Sequence, residues 1–400
     1  MITQDVDVTR RIIQEAQALA GAGYDVQILT RAAGTEGPPG ETAGGIPVAR
    51  VITRGNDPRF RRLYRLAGVE RGSRAAALWG VLSGRSTFTL RAVPQAIAYH
   101  ADVYHAHDLN NLPAAAAAAR ATGARLVYDA HELFAEMANR WVRLKRANWR
   151  RLEARLLPRC DLSLTVNDFI AAEMARRYHV PAPLVVLNCP DPPTGFDPDA
   201  PHTEIRDALG LPAGTRIVLY QGWISAGRGL ENLVRAAPLL PMGVVVVFMG
   251  YGEYQQTLAG LAAGLDGADR VRFLPAVPQR DLLAWCASAD VGIIPYQAVD
   301  LNNYYSSPNK LFDFIHAGVP LVASDLPFLR QVIAGHDLGV VATLDSPQAY
   351  AAALRAVLDH PEDRERRRAN LRQAAAIYTW QAQAARLRTA YARMLGGPDG

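Results

Sequence analysis

Two short stretches hold the residues best suited to chemistry. In Ser306-Ser307-Pro308-Asn309-Lys310-Leu311-Phe312-Asp313-Phe314-Ile315-His316-Ala317-Gly318 a serine and a proline precede an apolar-periodic run. The pattern predicts a helix with Ser307 as N-cap and Pro308 in the first helical position, where a missing N–H costs nothing. Lys310 and Asp313, three residues apart, then share one face near its N-terminal end. Free amides from Ser307 through Asn309 to Lys310 and the positive dipole end favour a phosphate there. Lys310 adds a full charge, and Asp313 is placed to accept hydroxyl hydrogen bonds from a ribose or sugar. The second stretch begins with the strand signal Arg216-Ile217-Val218-Leu219-Tyr220. Gln221-Gly222-Trp223-Ile224-Ser225-Ala226-Gly227-Arg228-Gly229 follows, and then apolar Leu230, Leu233, Val234 and Ala237 at helical spacing. Arg228 sits at that loop-to-helix junction, where a guanidinium can grip a phosphate with two parallel bonds. One cation at each of two strand-to-helix turns suits a diphosphate. Each segment alone also fits an ordinary capped helix with a surface cation.

Two further groups sit just after strand signals. His107-Asp108 follows Val103-Tyr104-His105-Ala106, and Asp129-Ala130-His131-Glu132 follows Arg125-Leu126-Val127-Tyr128. In open parallel sheets ligands bind beyond the carboxyl ends of strands, so both groups are predicted to line a binding cleft. The plainer alternative has His131 capping a helix and bonding to backbone. A metal needs three converging ligands with room for water, and none is expected. Gly250-Tyr251-Gly252 lacks the third glycine of a dinucleotide fingerprint, since residue 255 is Gln.

Together these segments resemble the GT-B glycosyltransferases, specifically the large retaining family 4. Ala289-Asp290-Val291-Gly292-Ile293-Ile294-Pro295-Tyr296 and Val247-Phe248-Met249-Gly250-Tyr251-Gly252-Glu253 add to the match, and the order and spacing of the segments extend it over most of the chain. The resemblance implies an α/β protein of two Rossmann-like, doubly wound domains facing across a cleft. It implies transfer of a sugar from a nucleotide-diphosphate donor to a hydroxyl acceptor with retention. By similarity Gly222, Arg228, Ser307, Asn309, Lys310 and Asp313 bind the donor, with Arg228 and Lys310 on the diphosphate and Asp313 on the ribose. His131 lies near the transferred sugar, and His107 and Asp108 lie on the acceptor side. No cofactor or metal is implied, because the two cations and the helix amides stabilise the leaving diphosphate. Two positions depart from the family pattern. Its pair of glutamates eight residues apart is Tyr305 and Asp313 here, which puts the sugar contacts in doubt. Trp223 stands where many relatives carry an arginine. A nucleotide-sugar epimerase and a non-catalytic GT-B binding protein are the competing readings.

These residues need two positioning scaffolds. Four hundred residues exceed what one core serves, and alternating strand and helix signals predict parallel sheets covered on both faces. The expected division is an acceptor-binding domain over 1–190, a nucleotide-sugar domain over 197–375, and a closing helix over 376–400 that packs back on the first domain. Proline-rich Asn188 to Pro198 reads as the linker. Met242 to Gly250 reads as a buried strand. At the start, Thr3 to Leu19 reads as a loop and first helix ending at Gly21-Ala22-Gly23, with Tyr24 to Thr30 as a strand. Almost nothing precedes that loop to fill the central slot of a doubly wound sheet. The expectation is a start placed downstream of the true one, with a different segment filling the slot as the alternative.

Charge is uneven: residues 1–195 hold 25 basic and 18 acidic side chains, whereas the remainder hold 18 and 20. Arg50 to Arg91 contains ten arginines against Asp57 and Glu70, and 140–159 contains eight basic residues against Glu153. Trp141, Leu144, Trp149, Leu152 and Leu156 interleave the second stretch, which suits an anionic membrane surface or a solvated face over a buried apolar side. No nucleic-acid fold signature appears. No apolar run approaches the roughly 18 residues of a membrane span. Cys160, Cys189 and Cys286 are too few and scattered for a disulfide framework or a zinc site. A reduced, cytoplasmic setting is expected, at the inner membrane face if the basic stretch docks there and the acceptor is lipid-linked.

Overall fold

In the computed structural model the described residues are 1–33, 40–52, 87–137, 142–360 and 362–397. The chain divides into two compact units, Met1–Leu187 with Gln383–Gly400, and Asn188–Ala382. The proline-rich segment from Asn188 thus groups with the second unit, and the closing helix Trp380–Met394 joins the first from Gln383 onward.

The first unit is built on β1 (Ile28–Arg31), β2 (Thr42–Ala43), β3 (Ile46–Val51), β4 (Val103–His107), β5 (Arg125–Ala130), β6 (Leu162–Thr165) and β7 (Leu184–Val185). Strands β1 and β3 pair in parallel, β2 adds an antiparallel edge, and β4 to β7 form a parallel run in sequence order. Between β1 and β4 lies the very start of the sequence. Ile2 bridges Leu29 on one side and Ala106 on the other. Four backbone bonds hold it: Ile2 N–H to His105, Thr3 to Leu29, Leu29 to Met1 and His107 to Ile2, at 2.8–3.1 Å. The first helix runs Arg10–Ala20, and the strand after it begins at Ile28 rather than Tyr24. Tyr24 instead meets Tyr391 of the closing helix edge-on at 5.9 Å between ring centres.

The second unit is a six-stranded parallel sheet in the doubly wound order β10-β9-β8-β11-β12-β13. Its strands are β8 (Arg216–Trp223), β9 (Val244–Tyr251), β10 (Val271–Pro275), β11 (Val291–Ile294), β12 (Leu321–Ser324) and β13 (Gly339–Ala342). Strand β9 reads VVVVFMGY with seven consecutive buried residues, as a central parallel strand covered on both faces should. Met242 lies outside it and is 88% exposed. The β9 glycine has a packing role. A Cβ at Gly250 would sit 1.9 Å from the Gly222 carbonyl oxygen, so only glycine lets β9 approach β8 this closely. Among the described residues, no helix is long and apolar enough to cross a membrane.

The helix Val142–Leu156 carries most of the basic 140–159 stretch, whose Arg140 and Trp141 lie outside the described residues. Its polar side is partly neutralised: Arg150 donates two bonds to Glu136 at 2.5 and 2.8 Å, and Arg146 lies 3.8 Å from the same carboxylate. Trp149 packs edge-on against Phe134 at 5.1 Å, and Glu153 is buried beneath the hydroxyls of Tyr128 and Tyr178. Arg151, Arg155 and Arg159 are exposed. Most of the Arg50–Arg91 stretch lies outside the described residues.

Candidate functional site

The second unit gathers four of the residues singled out for the donor. Strand β8 delivers Gly222 at its carboxyl end, and the loop after it delivers Arg228 just before the helix Leu230–Ala236. Gly229 caps that helix with φ +71°, and a Cβ there would fall 2.3 Å from the Tyr350 hydroxyl and 2.7 Å from the Pro295 carbonyl. Glycine alone fits this turn. The helix Asn309–His316 delivers Lys310 and Asp313; the seven residues after Asn309 are buried, and Asn309 at the tip is exposed. Lys310 Nζ lies beside Gly222, 3.6 Å from where a Cβ would stand.

The helix start differs from the expected one. Pro308 is the N-cap and Asn309 the first helical residue, so Ser307 stands outside and its hydroxyl, buried, finds no hydrogen-bond partner among the described residues. Proline has no side-chain oxygen to cap with, which leaves the first-turn amides without a side-chain acceptor from the cap. Asn309 accepts a bond from Asn188 at 2.9 Å.

The electrostatics are unusual. Lys310 is 5% exposed, and its ammonium has no hydrogen-bond partner among the described residues. It rests 3.6 Å above the centre of the Tyr220 ring and 5.3 Å from that of Tyr296. Arg228 lies 4.3 Å from the Tyr296 ring and 5.6 Å from that of Trp223, with Nε donating to Ser225 Oγ at 3.1 Å. Two cations thus share one tyrosine. Burial, then repulsion from Arg228, hold Lys310 well below its ordinary value, with Asp313 opposing them. Asp313 is buried and accepts from Gln221 at 3.0 Å. An unpartnered ammonium and a guanidinium, both set on aromatic faces, form a site short of negative charge. Sequence reasoning missed Tyr220, Gln221 and Tyr296. Their signal was position alone, at the carboxyl end of β8 and just past β11.

The first unit places His107 at the end of β4, Asp108 next to it with φ +64°, and His131 just past β5. His131 bonds to carboxylates through its ring and does not cap a helix. Its Nε2 lies 2.8 Å from Asp129 Oδ2, its Nδ1 lies 3.5 Å from Asp108 Oδ2, and its amide donates to Asp108 Oδ1 at 3.2 Å. His107 Nδ1 sits 3.3 Å from Asp129 and 3.2 Å from His131. Against the cost of burial, Asp108 and Asp129 raise His131 to about 9. Burial lowers His107 to about 4. Asp108 is pushed up by burial.

Behind these lies a group that the sequence did not flag. Arg11, 2% exposed, forks onto both oxygens of Asp129 at 2.7 Å and donates to the Val186 carbonyl at 2.7 Å. Despite its burial, Arg11 holds Asp129 well below the usual carboxylate range. Glu15, one turn after Arg11, is fully buried, and burial together with Asp129 pushes it upward. The only trace in the sequence was a charged pair at i, i+4 on the helix's core-facing side.

Comparison with known proteins agrees with this architecture. Residues 8–190 match the model of a glycosyl transferase 4-like domain, and residues 201–374 match that of glycosyl transferases group 1. Among curated proteins, the D-inositol 3-phosphate glycosyltransferase of Xylanimonas cellulosilytica is 28% identical over 96% of this chain and 90% of its own. That of Thermobispora bispora is 27% identical over 96% and 89%. Among solved structures, sucrose-phosphate synthase from Thermosynechococcus elongatus superposes with a TM-score of 0.75 at 18% identity, covering 99% of this chain and 98% of that one. HepE of Anabaena in complex with UDP-glucose gives 0.71 at 16%, covering 98% of each. With both units matched by glycosyltransferase models and both sheets of the Rossmann type, the chain is a glycosyltransferase of the GT-B fold.

Proposed function

We propose that the protein moves a sugar from a nucleoside-diphosphate donor to a hydroxyl acceptor with retention at the anomeric carbon. The observation that carries this reading is Lys310: a buried, unpartnered ammonium beside Arg228, at the start of a helix. A buried cation without a counter-ion is costly, and a diphosphate supplies the missing charge. HepE, of the same fold, is described with UDP-glucose, which supports a nucleotide sugar as the donor.

In this mechanism Arg228, Lys310 and the first-turn amides of the Asn309 helix hold the diphosphate. They stabilise the charge that builds on it as the glycosidic bond breaks. Asp313, already fixed by Gln221, takes the ribose. The leaving phosphate accepts the acceptor's proton on the same face, so no separate base is needed and no metal is required at the diphosphate. His131, kept charged by Asp108 and Asp129, donates to the transferred sugar, and His107 and Asp108 serve the acceptor side. The relatives' name points to a phosphorylated cyclitol as one acceptor, which suits the basic surplus of residues 1–195. A lipid-linked acceptor in surface polysaccharide or glycolipid assembly is the second reading, favoured by exposed Arg151, Arg155 and Arg159.

The test has two arms: a thermal-shift screen with UDP-, GDP- and ADP-sugars, then transfer from the stabilising donor to inositol phosphate. A donor held at about 100 times its dissociation constant stabilises by roughly 2.7 kcal/mol. The anomeric coupling in the product reads retention directly. An inverted product overturns the mechanism, and stabilisation by no nucleoside diphosphate overturns the donor. Interconversion of the donor sugar without acceptor would mark an epimerase instead.

A further inference from the structure

Among the buried polar atoms of the first unit without a hydrogen-bond partner among the described residues, four belong to three neighbouring side chains. They are both oxygens of Glu15, Nε2 of His105 and Nε2 of His107; of these, Glu15 Oε1 lies 3.0 Å from the Arg11 guanidinium, and Oε2 is the oxygen left over. Buried polar atoms are almost always bonded, and a cluster of exceptions calls for an unseen bonding partner. The three residues are 0%, 2% and 1% exposed. One ligand atom from each, with one from Asp129, lies within 4.8 Å of all the others.

We propose that Glu15, His105 and His107 form a buried site for a divalent transition-metal ion, with zinc the best match to two imidazoles and a carboxylate. The spacing favours an ion over a shared proton. Glu15 Oε2 and His105 Nε2 are 3.7 Å apart, too far for a hydrogen bond. Two donors each about 2.1 Å from a tetrahedral ion stand about 3.4 Å apart. Each imidazole is also held at its other nitrogen. His105 Nδ1 pairs with the Tyr391 hydroxyl at 2.8 Å, and His107 Nδ1 pairs with Asp129 at 3.3 Å. Metal-binding histidines are regularly fixed in this way, with a carboxylate or hydroxyl opposite the metal. The two rings stack 4.4 Å apart at 21°, as residues i and i+2 of one strand must. Asp129 has its oxygens engaged by Arg11 and His131, so it orients His107 and is not a fourth ligand. Arg11 balances its charge and also pairs with Glu15 Oε1, leaving Glu15 Oε2, on the side of His105, as the carboxylate oxygen that faces the ion. Helix Arg10–Ala20, strand β4 and the closing helix would thereby be tied at one point. The ion is held by the first unit alone and takes no part in the transfer step.

The test uses the full-length protein, dialysed against a chelator and then against micromolar zinc or cobalt before excess ion is removed. Elemental analysis should find about one ion per chain. Cobalt should give the visible bands of a tetrahedral nitrogen–oxygen site without thiolate charge transfer. Glu15→Gln and His105→Gln should each lose the ion to below about one tenth per chain, while Cys160→Ser keeps it. A wild type that binds no ion, or binds one that both ligand variants retain, overturns the proposal. Should the ligand variants fail to fold, the wild-type cobalt spectrum decides: nitrogen–oxygen bands support the site, and sulfur bands or none refute it.

Discussion

Replacing Lys310 by methionine should separate function from stability. The side chain keeps most of its length and its packing beside Tyr220 and loses the terminal ammonium. In the unliganded protein that charge is a burden. The ammonium is 5% exposed and without a hydrogen-bond partner among the described residues, and burial of an unpaired ion costs several kcal/mol. Contacts with the Tyr220 and Tyr296 rings at 3.6 and 5.3 Å return about 2 kcal/mol for a desolvated cation over a face. Lys310→Met should therefore unfold at the same temperature as wild type or higher. Transfer should fall about 100- to 1000-fold, the loss of one donor to a developing oxyanion, or about 2.7–4 kcal/mol. The sign also appears in pH. Lys310 is held below its ordinary value, so between that lowered value and the ordinary one the unfolded chain binds the extra proton. Stability of the free protein then rises with pH across this window, and the methionine variant lacks that slope. Binding of a nucleoside diphosphate raises the lysine back toward its ordinary value, so within this window calorimetry in buffers of different ionisation enthalpy should show proton uptake in wild type and less in the variant. A methionine variant that melts several degrees lower while turning over normally would refute the reasoning, since Lys310 would then be a structural residue.

Other expectations follow from particular contacts. Tyr296→Leu removes the ring shared by Arg228 and Lys310 and should lower kcat about 30-fold, by the roughly 2 kcal/mol of a desolvated cation–ring contact, whereas Tyr296→Phe should recover most of it; equal loss in both would assign the effect to the hydroxyl. Gly250→Ala forces a Cβ to within 1.9 Å of the Gly222 carbonyl and should destabilise by about 3 kcal/mol, the upper range for overpacking; an unchanged melting temperature would show that β8 and β9 can separate freely. Transfer should run without added magnesium or manganese and with EDTA in the assay, and a loss restored by either ion would contradict charge neutralisation by Arg228 and Lys310. If exposed Arg151, Arg155 and Arg159 meet a membrane, binding to anionic vesicles should fade as salt rises, at about 1 kcal/mol per residue. Their joint replacement by Gln should abolish it, and equal partitioning onto neutral vesicles would leave the stretch a solvated face.

The parts of the site that the sequence displayed are those fixed by local pattern. A glycine-rich loop between strand and helix placed Gly222 and Arg228, and a helix start placed Lys310 and Asp313, because backbone rules act over a few residues. What it hid depends on distant partners. Arg11 meets Asp129 across 118 positions, and Tyr391 meets His105 across 286. No window along the chain contains either pair. The aromatic faces beneath the two cations were equally silent, since Tyr220 and Tyr296 look like ordinary strand-end residues. The bridges from Ile2 to Leu29 and Ala106 were hidden for the same reason, both partners lying far along the chain. The packing of Trp149 on Phe134 was hidden as well, because Phe134 lies on another segment.

The most direct measurement is equilibrium binding of UDP, GDP and ADP to the wild type and to a Lys310→Met, Arg228→Met double variant. One of the three should bind at one site per chain. The double variant should weaken that binding at least about 100-fold, because two charge-assisted contacts of about 1.5–3 kcal/mol each are removed. Binding of none of them, or equal binding by the folded double variant, would contradict the claim that these two cations hold the donor diphosphate.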